Sequence, residues 1–137
     1  MSGAKYGKYI VREPFRQSTN KEVIEPIINL EGARHGGGAA LTVSRSWITQ
    51  PFQMIKVPHK HNYDQFIIFA GGNPLDVREF GAELEFSLGE ECEKHIINSP
   101  CMIHIPAGLS HGPLRYIRID KPIELLDIFL APEYIRK

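Results

Sequence analysis

The chain has 137 residues, sixteen basic and sixteen acidic side chains and no formal net charge, and 42% of its residues are hydrophobic. A chain of that size can bury a core without disulfide or metal staples, so one domain over 1–137 is expected, with 1–30 as N-terminal strands or an arm. The balanced charge gives no electrostatic footprint for nucleic acid or an anionic membrane surface. No stretch has the apolar length of a signal-peptide core or a membrane span, so a cytoplasmic protein is expected.

Glycine and proline punctuate the sequence, and the segments between them are short, β-branched or aromatic, which is the rhythm of an all-β sandwich or barrel. In chain order, GKYIV, KEVIEPIINL, AALTVSRSWI, FQMIKVP, QFIIFAG, AELEFSL, EKHIINS, CMIHIP, LRYIRI and IELLDIFLA each predict a strand. EGARHGGGAA reads as a loop; its triple glycine lacks the following G-K-[ST] of a phosphate cradle and leads into a strand. GGNPLDVREFG is rich in turn formers and reads as an exposed loop. No window keeps a helical period for three turns, and only PEYIRK at the end has a weak helical character. In GAELEFSLG, Ala82, Leu84, Phe86 and Leu88 alternate with Glu83, Glu85 and Ser87, so the apolar set is expected to face the core. Cys92 and Cys101 form no C-x-x-C pair and are expected as free thiols.

The chemistry concentrates in PHKHNYDQFIIFAGG. Residues two apart on a strand share a face, so His59 and His61 project together and can offer two imidazoles to one ion. Gln65 shares that face if the chain stays extended. Downstream, IPAGLSHGPL turns through Pro106, Ala107 and Gly108 and presents His111, the third imidazole that a metal shell would need. Tyr63 and Asp64, between the histidines and Gln65, are candidate acid or base groups, or parts of a turn. His104 is a candidate lining residue, or a strand residue on the outer face.

These residues resemble the two sequence motifs of the cupins, small β-barrels that usually carry a metal inside. HKHNYDQFIIFAGG supplies His59, His61 and Gly72 of the first motif, with Gln65 where that motif has glutamate; PAGLSHGPLR supplies Pro106, Gly108 and His111 of the second, with Arg115 where that motif has asparagine. Gln53 and Pro100 stand where the motifs begin with glycine. The resemblance implies a single-domain cupin, a jelly-roll barrel, with one divalent transition metal on His59, His61, Gln65 and His111. Imidazole ligands suit Zn, Fe, Ni, Cu or Co better than Mg or Ca, and Mn is also admissible.

Gln65 can coordinate through its carbonyl oxygen, or orient a histidine or a water instead, and in either role it brings no charge. A divalent ion on four neutral ligands keeps its full double charge and welcomes an anion. Arg115, four residues past His111, is expected on the same strand face, where its guanidinium would fix the negative group of a substrate. The alternative is that the strand leaves the barrel at Pro113 and Arg115 pairs with an acid such as Asp127. By resemblance, the expected function is a metal-dependent enzyme of the dioxygenase, isomerase or lyase kind acting on a small oxygen-rich anion: a carboxylate, a keto or enol compound, or a hydroxylated molecule. The alternative is a non-catalytic small-molecule binder or sensor. An unpaired N-terminal edge such as KYIV would serve a homodimer.

Overall fold

A computed structural model of the chain describes residues 5–134, and in it ten strands form between the turn signals of the sequence. They are β1 (Phe15–Arg16), β2 (Ile27–Glu31), β3 (Thr42–Ile48), β4 (Phe52–Ile55), β5 (Gln65–Ala70), β6 (Ala82–Leu88), β7 (Glu93–Ile97), β8 (Cys101–Ile105), β9 (His111–Ile119) and β10 (Ile123–Phe129). They pair into a six-stranded sheet, in the order β1-β2-β3-β10-β5-β8, and a four-stranded sheet, β4-β9-β6-β7; every pairing is antiparallel. Sequence neighbours such as β4 and β5 fall in opposite sheets, so the chain wraps back and forth around one interior as a jelly roll.

The period-two alternation of each strand supplies that interior. Ile67 and Phe69 of β5, Leu125 and Ile123 of β10, and Ile48 of β3 face Leu84 and Phe86 of β6 and Leu114 and Tyr116 of β9 in one buried cluster. Removing each such side chain from water contributes about 1.5–3 kcal/mol. The apolar packing fills one end of the sandwich. At the other end the inner rows turn polar: Glu31, Thr42, Phe129 and Gln65 lie opposite one another across β2, β3, β10 and β5, and the next row runs Asn29, Ser44, Asp127, Ile67.

Several expectations need correction. GKYIV is not a strand; Gly7–Tyr9 is one 3-10 turn with exposed Tyr9 and Ile10, because no neighbouring strand offers it a ladder, and the sheet edge is β1 instead. KEVIEPIINL pairs only from Ile27, apart from a lone bridge between Val23 and Ile48. EGARHGGGAA holds a one-turn helix, Gly32–His35. In β6 the alternation stops at Ser87, which is buried where Leu88 was expected, because the register with β9 shifts there. In PEYIRK, Pro132 and Glu133 are bends, and 135–137 lie outside the described residues. Both cysteines are free. Among the described residues no helix is long and apolar enough to cross a membrane.

Candidate metal centre

The two histidine-bearing segments are fastened to each other by backbone. His59 N–H donates to the His111 carbonyl at 3.0 Å, and His111 N–H returns the bond to His59 at 2.9 Å. The turn over 106–109 closes with Leu109 N–H on the Pro106 carbonyl, and Gly108 takes a φ of +87°, where a Cβ would be strained. That glycine's N–H donates to the His61 carbonyl at 2.8 Å, so the turn docks on one histidine as it delivers another.

As a result one nitrogen each of His59, His61 and His111 lies within 4.8 Å of the other two. Tetrahedral ligands at about 2.0–2.1 Å from one ion lie about 3.4 Å apart, so the three nitrogens are grouped at the scale of one coordination shell. His61 and His111 are 4% and 1% exposed. His111 Nδ1 is 3.2 Å from the Leu109 carbonyl. A carbonyl only accepts, so in the neutral ring Nδ1 carries the proton and Nε2 keeps its lone pair for a metal. Tyr63, also buried, stacks face to face on His61 with ring centroids 4.8 Å apart and holds that imidazole in plane.

Gln65 is the first residue of β5, 4% exposed, and lines the same cavity as His59 and His111. Its Nε2 donates to Asp127 Oδ1 at 2.8 Å, and its buried Oε1 has no hydrogen-bond partner among the described residues. An orphaned buried carbonyl costs about 1–3 kcal/mol unless something else satisfies it. A cation does so without a proton. The donor set, three imidazoles and an amide oxygen, therefore fits a divalent transition metal. Burial pushes the Asp127 carboxyl up to about 7, against the opposing pull of the Gln65 bond. The cavity has a volume of about 520 Å³, with Ile67, Leu114 and Leu125 as an apolar floor.

Three of the expected site residues stand elsewhere. Arg115 points out of the barrel, its side chain 51% exposed, and donates to Glu85 at 3.0 Å. The register of β9 against β6 gains a residue between His111 and Leu114, so the offset of four no longer keeps one face. Glu85, not Asp127, is its acid. His104 lies on the outer face of β8, stacked on Phe66, with Nε2 2.7 Å from Asp64 Oδ2. Asp64 also accepts the Ala107 N–H at 3.1 Å. The His104 hydrogen bond, and then that N–H, hold its carboxyl below the ordinary 3.8. Asp64 thus clamps the 106–109 turn from outside. Of the two acid-base candidates, only Tyr63 touches the histidine cluster.

Sequence reasoning missed Asp127 as the partner of Gln65, and the polar inner row Asn29, Ser44 and Asp127. A signal was available in TVSRSW, where small hydroxyl residues alternate with Val43, Arg45 and Trp47; alternation alone does not say which set faces inward.

No protein-family model matches the chain, and no curated protein matches its sequence. Its fold does have relatives among solved structures. Oxalate oxidase in complex with the substrate analogue glycolate is 14% identical with a TM-score of 0.62, over 100% of this chain and 66% of that one. Oxalate decarboxylase of Lactobacillus farciminis in a formate complex is 13% identical with a TM-score of 0.61, over 90% of this chain and 33% of that one. KdgF from Halomonas sp. is 16% identical with a TM-score of 0.54, over 88% of each chain. The chain thus spans at most 66% of the two oxalate enzymes. These neighbours have the cupin fold, and the two sheets described above are that fold in a small β-sandwich.

Proposed function

We propose that this chain is a metal-dependent enzyme that binds a small oxygen-rich carboxylate beside an ion held by His59, His61, His111 and Gln65. The observation that carries the reading is the convergence of three imidazole nitrogens within 4.8 Å, inside a cavity where Gln65 leaves a buried carbonyl oxygen unsatisfied. The neighbouring structures with glycolate and formate bound support the ligand class, since both are small carboxylates. When bound, the metal supplies Lewis acidity toward substrate oxygens. This chain's residues do the rest: Tyr63 keeps His61 in plane, Asp127 turns the Gln65 amide, and the apolar floor excludes water from one side. Asp127, lining the cavity and bonded to the Gln65 amide, is the carboxyl placed to hold or release a proton there, a part the sequence had suggested for Tyr63 or Asp64.

The test is metal content and carboxylate binding in the purified protein. We expect one transition-metal ion per chain, lost in a His59→Ala, His61→Ala double variant together with glycolate binding, and turnover is then assayed on the metal-loaded protein. Metal-free wild type that binds glycolate as well as the double variant does would sink the proposal and favour a non-catalytic binder.

A further inference from the structure

Besides the histidines, the cavity lining includes one arginine, Arg16. Arg16 sits directly across from Ile27 in the β1–β2 pair, and directly opposed residues of an antiparallel pair share a face. Ile27 is buried in the core, so Arg16 belongs to the inner face and lines the cavity mouth, whereas Phe15, opposite Ile28, is turned out to solvent. Arg34, Arg45, Arg115 and Arg118 each meet an acid. Arg12, Arg16 and Arg78 meet none among the described residues, and of these three only Arg16 lines the cavity. The acids nearest in the cavity wall are already engaged: Glu31 accepts from Asn29 Nδ2 at 3.2 Å and lies 3.7 Å from Arg34, and Asp127 accepts from Gln65. Glu133 lies at the exposed C-terminal rim.

Position along the strands sets a length. On β2, the row of Gln65 passes through Glu31, the next through Asn29, and Arg16 belongs with Ile27, one row further. Each row is two residues, roughly 6.6–6.8 Å, from the next, and β1 is also four strands away from β5 at roughly 4.7–4.9 Å a step. A two-carbon acid seated at Gln65 therefore cannot reach Arg16. Between them lie the Asn29 amide and the Ser44 hydroxyl, groups that exchange hydrogen bonds with alcohols. A cavity of about 520 Å³ lies within the range of about 300–1,000 Å³ that encloses larger ligands.

We infer that Arg16 is a carboxylate-binding residue of this cavity, away from the metal centre, and that its ligand is an extended hydroxylated acid whose hydroxyls lie on Asn29 and Ser44 and run toward the histidines. The inference rests on the proposed function for what happens at the histidine end, but Arg16 can be tested apart from it.

Gluconate, glycolate and the uncharged glucitol are titrated calorimetrically into wild type, Arg16→Gln and Arg16→Lys, with metal content and thermal midpoint recorded for each. Wild type should bind gluconate more tightly than either of the others. Arg16→Gln should weaken gluconate by about 10- to 100-fold, as for loss of a charged hydrogen bond, and leave glucitol unchanged. Arg16→Lys should fall between, because it keeps the charge and loses the fork. Because Arg16 is on an exposed edge, metal content and midpoint should stay at wild-type values. Gluconate that fails to bind wild type, or binds Arg16→Gln equally well, overturns the inference. Absence of metal from wild type, with gluconate still dependent on Arg16, would instead overturn the metal-site reading alone.

Discussion

In the proposed site Gln65 would add an oxygen and no charge to three imidazoles, and the Asp127 bond fixes which way its amide is turned. In its ionised form the Asp127 carboxylate accepts only, so it selects the amide nitrogen and leaves Oε1 for a cation. Asp127→Ala should therefore raise the metal dissociation constant by about 10- to 100-fold, read by competition with a chelator of known affinity, while the three histidines stay in place. Gln65→Glu should act in the opposite sense, tightening metal by about tenfold or more, since it adds a negative charge where the natural side chain has none. Arg115→Ala should change neither metal nor glycolate binding, because Glu85 holds its side chain on the outer face. At this scale the three histidines and Gln65 were readable from spacing, and the roles of Asp127, Asp64 and Arg115 were not: those depend on which face a side chain takes, and on partners 30 to 62 positions away.

Between strands, glycines set where the chain can change course. Gly112 has a φ of +109°, and a Cβ there would come within 2.7 Å of Ile55 Cγ2 and 3.3 Å of Pro58 Cα. It lies inside the irregularity that turns His111 inward and Arg115 outward. Gly112→Ala should cost about 1–3 kcal/mol in denaturant unfolding and weaken metal binding, because the His59–His111 bridge is next to it. The loop over 71–81, expected from its turn residues, is held by Glu79, which accepts from both Lys121 and Asn73. The Lys121 bond, then that of Asn73, keeps the Glu79 carboxyl below its ordinary 4.5. Above pH 4.5 this carboxyl is ionised whether the loop is held or released, and the pairing contributes in full. As pH falls through the lowered value the carboxylate protonates and the contribution is lost. On the alkaline side the same pair weakens as Lys121, raised above 10.5, loses its proton. Trp47, the single tryptophan, packs beside Gly72 at the base of this loop. Its fluorescence should change on acidification below pH 4.5, and in Lys121→Met the change should begin at higher pH.

For the whole molecule, a metal that binds the folded barrel and not the unfolded chain adds stability by mass action, about 2.7 kcal/mol at a hundredfold excess over its dissociation constant. For a chain of 137 residues that corresponds to a midpoint higher by about 10 °C, so chelation should lower the melting temperature by that much and re-addition should restore it. The His59→Ala, His61→Ala variant should melt near the chelated value and ignore the chelator. Composition and turn rhythm were enough to determine an all-β chain and the approximate bounds of most strands, and the H-x-H and P-x-G-x2-H spacings picked out the three histidines that converge, because alternation and spacing are local properties. Tertiary structure alone decided that GKYIV stays out of the sheet, that Arg115 faces Glu85, that Asp127 reaches Gln65 and that Arg16 lines the cavity. Those outcomes are set by register. A shift of one residue at a bulge moves a whole strand segment to the other face, and its position follows from how distant strands pair across the barrel.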